Sequence, residues 1–269
     1  MAEIDLDKYL IQPGTHVDLS DLPTDDDAGL TKTDSLALVA GLQAKLADQQ
    51  RRLYAQHTHR ILIVMQAMDT GGKDGLAKSL LRDVNPQGVR VASFKAPTPE
   101  ELSHDFLWRI HEPVPSDGEL VVFNRSHYED VLVVRVHDLV PEKVWRRRYH
   151  HIRQFERLLA DEGTTIIKLF LHISKAEQKR RLESRLTDPT KRWKFAPDDV
   201  AERKYWDDYQ DAYAEALSET SIDVAPWYAV PADHKWYRDL VVTTLVTDVL
   251  DGLDLAFPDP PDLSNITID

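Results

Sequence analysis

Five short apolar runs punctuate the chain, at Ile61–Gln66, Val89–Phe94, Glu119–Phe123, Thr165–Leu171 and Trp227–Val230. They are rich in β-branched residues and nearly continuous rather than alternating, the pattern of parallel strands covered on both faces. Between them the apolar period becomes helical. Leu36, Val39, Leu42, Leu46 and Leu53 mark one stripe, with Thr33 or Asp34 as its cap, and Trp145, Tyr149, Ile152, Phe155 and Leu159 mark another. Thr98-Pro99-Glu100-Glu101 reads as a capping box with proline at the first helical position, and Ser174-Lys175-Ala176-Glu177 as a second box. Strand alternating with helix predicts an α/β fold, a three-layer parallel sheet of five strands with flanking helices. Residues 1–34, rich in Asp, Pro and Thr, read as an irregular arm, 35–258 as the folded domain and 259–269 as an irregular tail.

Length and composition suit this picture. The chain has 269 residues, 42% of them hydrophobic, enough for one large domain. No apolar run approaches the roughly 20 residues that span a bilayer, and the acidic start, Met1 to Asp7, has no apolar core of a secretory signal. No membrane association is expected. Cysteine is absent, which excludes disulfides, thiolate metal sites and cysteine nucleophiles, and agrees with a cytoplasmic location. A net charge of −13 argues against nucleic acid as a partner. The charge is uneven, however. Arg146 to Lys194 holds 14 Lys/Arg against 6 Asp/Glu, a local +8. A basic island on an acidic chain points to a localised anionic ligand, solvated helix faces being the alternative.

The first strand runs into Ala67-Met68-Asp69-Thr70-Gly71-Gly72-Lys73-Asp74-Gly75, with a helix expected from about Asp74. Strand, glycine turn and helix are the setting of a phosphate-binding P-loop, in which Gly71, Gly72 and Gly75 let backbone N–H groups approach phosphate oxygens and Lys73 reaches the transferring phosphate. Two positions depart from the general G-x-x-x-x-G-K-[ST] pattern: Ala67 replaces the first glycine, and Asp74 the hydroxyl residue that touches magnesium. Asp69 is then the obvious metal ligand. A tight turn with an exposed lysine is the plain alternative.

The third strand ends at Phe123 and continues as Asn124-Arg125-Ser126-His127-Tyr128-Glu129-Asp130. Ligands of open α/β sheets sit beyond the carboxyl ends of the strands, so this segment emerges on the same edge as the P-loop. There Arg125 can clamp a phosphate, and Asp130 can hold magnesium or orient an attacking oxygen. A helix start made acidic to suit its dipole would look the same.

With these motifs the chain resembles the polyphosphate kinase 2 family, P-loop kinases related to thymidylate kinase. The matching stretches are AMDTGGKDG at 67–75, FKAPTPEELSHDFLWRIHEPVP at 94–115, FNRSHYEDVLVVRVHDLVP at 123–141, DPTKRWKF at 188–195 and APWYAVPADHKWYRDL at 225–240. The resemblance spans roughly Asp5 to Pro258 and accounts for Ala67 and Asp74, which the family shows. It implies a P-loop kinase domain with a helical lid at about 174–205, and transfer of the terminal phosphate of inorganic polyphosphate to AMP or ADP, reversibly, with Mg2+ or Mn2+. Asp69 and Asp130 match the family's metal-binding acids and Lys73 its P-loop lysine, while Glu129 before Asp130 looks like the subclass acting on both mono- and diphosphates. Acceptors extend to GMP and GDP, and a homo-oligomer is expected.

Further expectations attach to single residues. Arg185, Lys191, Arg192 and Lys194 flank the lid helices and are expected to bind phosphate, as is Lys95; any one of them alone also suits an ordinary surface. His104, Asp105, Trp108 and Arg109 are placed on one helix after the second strand. There Asp105 and Arg109 form either an i,i+4 ion pair or an acceptor-nucleotide contact. Trp193 stacks on a base or packs the lid. His127, His172, His150 and His151 form no zinc-binding spacing. Two rival activities use the same residues: an ATP-dependent nucleoside or nucleotide kinase, and a polyphosphate binder without turnover.

Overall fold

Arg60–Ala67 (β2) carries seven consecutive buried residues and forms the centre of the sheet. A computed structural model describes residues 4–195 and 197–262, apart from the side chains of Lys194 and Pro197. The other strands are Leu10–Ile11 (β1), Val89–Ser93 (β3), Leu120–Asn124 (β4), Thr164–His172 (β5) and Trp227–Pro231 (β6), in the order β1-β6-β5-β2-β4-β3. All neighbouring pairs are parallel except β1 with β6. The five expected strands are therefore present, and the sheet has six rather than five. The sixth comes from the arm, where Leu10 pairs with Tyr228 and Ile11 with Trp227.

The arm is accordingly not irregular throughout. Short 3-10 turns at Leu6–Tyr9 and Leu19–Asp21 flank β1, and Tyr9, Ile11, Val17 and Leu19 are buried. Ser221 Oγ donates to Ile11 O at 2.6 Å, and Asp233 N to Thr24 O at 2.9 Å, fastening the arm across the end of the sheet. A two-residue strand has no period to read. Its pairing is set by the exposed edge of β6, which it covers.

The first helix, Lys32–Gln56 (α1), starts at Thr31 rather than at Thr33 or Asp34. Thr31 and Asp34 form a complete capping box. Lys73–Leu80 (α2) follows the P-loop, and Pro99–Ser103 (α3) has the expected Thr98–Glu101 box. Helix α3 ends there: His104 caps it in extended conformation and Trp108–His111 (α4) is a separate turn, so His104 and Asp105 stand between helices. Val133–Val136 (α5) precedes Glu142–Asp161 (α6), whose stripe Trp145, Tyr149, Ile152, Phe155 and Leu159 is wholly buried. Lys175–Thr187 (α7), Pro197–Glu202 (α8) and Trp206–Thr220 (α9) lead to β6 and to Lys235–Asp251 (α10), which packs against α1. At α7 only half of the second box forms. Ser174 Oγ caps Glu177 N, but the Glu177 carboxylate is taken by Arg180 and Arg181, each at 2.6 Å.

The chain leaves β2 for β3 and β4 on one side and returns to β5 and β6 on the other. Such a switch point opens a crevice at the carboxyl ends of the strands, where a ligand fits. No helix among the described residues is long and apolar enough to cross a membrane.

Candidate active site

A cavity of about 840 Å³ opens at that switch point. It brings together Asp69, Gly71, Gly72, Lys73, Asp74, Gly75, Lys95, Arg125, Arg185 and Lys191 of the residues expected from the sequence. Two glycines are explained by close approach. A Cβ on Gly71 would strike Ala67, and one on Gly72 would strike the Arg238 guanidinium. Gly72 also has φ +99, a region that favours glycine.

Lys73 turns its ammonium back to Ala67 O, 3.0 Å away. Burial, reinforced by the Arg125 charge and opposed by Asp69, Glu129 and Asp74, pushes its pKa down to about 8. Arg125 follows β4 with φ +64, a conformation that a side chain adopts only under tertiary constraint. It reaches Asp69 at 3.0 Å and Glu129 at 3.3 Å, and Glu129 first and then Asp69 hold its proton more tightly. Asn124 Nδ2 donates to Asp74 Oδ1 at 2.8 Å, joining the end of β4 to the start of α2.

Other expected residues lie elsewhere. Glu129 lines a smaller adjoining cleft with Asp69, Arg125, Tyr209 and Tyr213. Asp130 is turned by the 3-10 segment His127–Asp130 toward α6 and α4, with Arg148 at 3.1 Å and Arg109 at 3.8 Å. Burial raises its pKa to about 6 against the pull of those two arginines. Arg109 therefore does not reach back to Asp105. It stands near Asp130 and Glu101 and donates to Lys95 O at 2.9 Å, because the break after Ser103 removes the helical spacing. Asp105 lines a separate groove beside α6. Arg192 bends back to Leu186 O, and Trp193 Nε1 donates to Thr190 O with its ring largely exposed. The side chain of Lys194 lies outside the described residues.

Sequence reading missed Arg180, Arg181, Lys235 and Arg238, which also line the cavity, and Asn124 beside the P-loop. Lys235 and Arg238 fall in the stretch APWYAVPADHKWYRDL, which marked the resemblance without assigning them a part. Burial, with Arg181 and Arg238 beside it, lowers the Lys235 pKa.

The oxygen chemistry fits a hard divalent cation. Asp69 offers a carboxylate in the cavity, Asp130 lines neither the cavity nor the adjoining cleft, and among the described residues no group of three or more His, Asp or Glu forms a cage. Magnesium suits such a site, because it keeps waters and takes one or two carboxylates plus substrate phosphates rather than a full protein shell.

Comparison with known proteins agrees with this geometry. Residues 29–257 match the family model described as Polyphosphate kinase 2. The chain is 52% identical to the AMP/ADP-polyphosphate phosphotransferase of Meiothermus ruber, over 94% of this chain and 96% of the relative. It is 43% identical to the ADP-polyphosphate phosphotransferase of Rhodopseudomonas palustris, over 94% and 92%. The crystal structure of polyphosphate kinase 2 from Arthrobacter aurescens TC1 superposes with a TM-score of 0.90 at 45% identity, covering 97% of this chain and 92% of that one. A P-loop with Ala67 and Asp74 at its ends, the arginine of Asn124-Arg125 facing it, and a match over nearly the whole chain lead to one assignment: the chain belongs to the polyphosphate kinase 2 family.

Proposed function

We propose that the protein transfers the terminal phosphate of inorganic polyphosphate to AMP and to ADP. The observation that carries this reading is the cavity itself, which the P-loop and Lys73 line together with Arg125, Arg180 and Lys235. A cavity so cationic on a chain of net charge −13 suits a donor bearing about one negative charge per phosphate. The relatives named for AMP/ADP and ADP transfer support the acceptors.

Phosphoryl transfer asks a protein mainly for positioning and for neutralising charge. The N–H groups at the start of α2 lack intrahelical acceptors and bind the donor phosphates. Lys73 and Arg125 neutralise the charge that spreads over the moving phosphoryl group. An AMP or ADP phosphate oxygen is already ionised at neutral pH, so no strong base is needed. Asp69 and Asp130 would hold a divalent metal, which would supply neutralisation of phosphate charge. Asp130 is paired with Arg148 and Arg109 and would have to leave them to serve as a ligand. Arg180 and Arg185 on α7 line the donor cavity and help to exclude water, which suppresses hydrolysis.

The test is a coupled assay of AMP, ADP, GMP and GDP with polyphosphate and Mg2+ and without ATP. The expected result is AMP converted to ADP and ADP to ATP. Turnover of ADP alone would refute the dual acceptor range, and a requirement for ATP as donor would refute the donor.

A further inference from the structure

Every carbonyl from Ala67 to Gly72 accepts a hydrogen bond. Ala67 O accepts from Lys73 Nζ at 3.0 Å and Met68 O from Gly71 N at 2.9 Å. The next four are met by side chains from outside the loop. Gln178 Nε2 donates to Asp69 O at 3.1 Å, and Arg181 Nη1 to Thr70 O at 3.0 Å and to Gly71 O at 2.9 Å. Arg238 Nη1 donates to Gly72 O at 3.1 Å, beside the backbone bond that the same oxygen accepts from Leu76 N at 3.0 Å. Arg181 is 6% exposed, Arg238 2% and Gln178 2%.

All three of these donors are themselves fixed. Arg181 Nη2 donates to Ala232 O and Asp233 O at the end of β6, and its Nε to Glu177. Gln178 Oε1 accepts from Arg203 Nη1 at 2.7 Å. The guanidinium of Arg238 is held by Asp239.

We propose that Gln178, Arg181 and Arg238 are positioning residues for the donor phosphate, a clamp that holds the carbonyls of residues 69–72 away from it. A loop presents N–H groups to an anion only if its carbonyl oxygens, which would repel that anion, are held elsewhere. Thr70 at φ +61 and Gly72 at φ +99 supply the alternation of backbone that such a nest requires, and a side chain on Gly72 would displace Arg238 from its place. Gln178 and Arg181 stand on α7, the helix that also carries Arg185, so the clamp fixes the bearing of the lid helix on the P-loop as well.

The inference rests on the reading of this cavity as the donor-phosphate site, and its test separates the two. Gln178→Leu removes a donor without changing charge; Arg181→Lys and Arg238→Lys keep the charge but cannot reproduce the fork. For each variant, kcat and KM are measured for polyphosphate and for AMP across a salt series, with melting temperature, and binding of inorganic triphosphate is measured by calorimetry without turnover. The expected result is a fall of roughly 10-fold or more in kcat/KM for polyphosphate, less than the about 10²–10³ of a deleted donor because the backbone N–H groups remain and only their aim is loosened. Triphosphate binding weakens, while the KM for AMP, the salt slope and the melting temperature stay near wild type. Wild-type kcat/KM and triphosphate binding in Gln178→Leu and Arg181→Lys would overturn the clamp. So would retention in Arg181→Lys coupled with a flatter salt slope in Arg181→Gln, which would make Arg181 a direct phosphate contact. An equal loss for polyphosphate and AMP together with a collapsed melting temperature would reduce these residues to support of the fold. Should the wild type bind triphosphate but fail to turn over polyphosphate, the donor reading falls, and calorimetry on the variants still decides the clamp.

Discussion

Arg125 Nη2 lies 3.0 Å from Asp69 Oδ1, so the cation proposed to clamp phosphate and the carboxylate proposed to hold metal are each other's partner. A divalent ion held by Asp69 would compete with the guanidinium for that carboxylate, so the two proposed roles would be coupled. Asp69→Asn is therefore expected to raise the Mg2+ concentration at half-maximal rate and to lower kcat by about 10²–10³, as for loss of one electrostatic element at a transition state. Asp130→Asn is expected to act in the same direction. Magnesium titrations of both variants check this, and normal midpoints in both would move the metal site elsewhere.

Lys73 supplies a pH dependence. Its pKa lies near 8 in place of 10.5, chiefly through burial, so above about pH 8 the protein increasingly holds it neutral. A polyanion favours the charged form, raises that pKa and draws in a proton on binding. The KM for polyphosphate is accordingly expected to be low below pH 8 and to climb as pH rises through it, with proton uptake visible in calorimetry. Lys73→Arg, charged throughout, should flatten the climb. Lys73→Ala should lower kcat about 10²–10³-fold at every pH while the melting temperature holds.

The basic wall can be apportioned by salt. Arg180→Ala with Lys235→Ala removes two cations that line the cavity. If each matches one phosphate, the slope of log affinity against log salt for long polyphosphate should flatten by about 1.4, the single-strand figure for two contacts. Arg192→Ala should leave the slope unchanged, since Arg192 turns back to Leu186 O. An unchanged slope in the double variant with a flattened one in Arg192→Ala would put the polyphosphate path on the other side of the lid.

Lys168 and Glu156 meet at 2.7 Å with side chains 0% and 1% exposed, and Tyr128 Oη, Thr220 O and His127 Nε2 complete their shell. Burial depresses the Lys168 pKa, while Lys168, against burial, depresses that of Glu156. Glu156→Gln strands a buried ammonium and is expected to cost about 3–5 kcal/mol of stability in denaturant unfolding. Glu156→Leu with Lys168→Met should recover most of that loss. A double variant as unstable as the single one would show that the hydrogen bonds to Tyr128 and His127, and not the charges, supply the stability.

The sequence by itself determined the five parallel strands, the buried stripe of α6, the Thr98–Glu101 box and the P-loop at residues 67–75. All of these are written in periods or motifs of a few residues, because a strand, a helical face or a cap is decided by neighbours within one or two turns. Tertiary structure alone decided what meets the loop. Gln178 reaches Asp69 across 109 positions, Arg181 reaches Gly71 across 110 and Arg238 reaches Gly72 across 166. It also decided the pairing of Leu10–Ile11 with β6, the break that sends Arg109 to Asp130, and the pairing of Asp130 with Arg148. A lysine or arginine carries the same charge and the same local propensity whether it lines a cavity or faces water. Its partner is chosen by packing between distant segments, which leaves no local pattern to read.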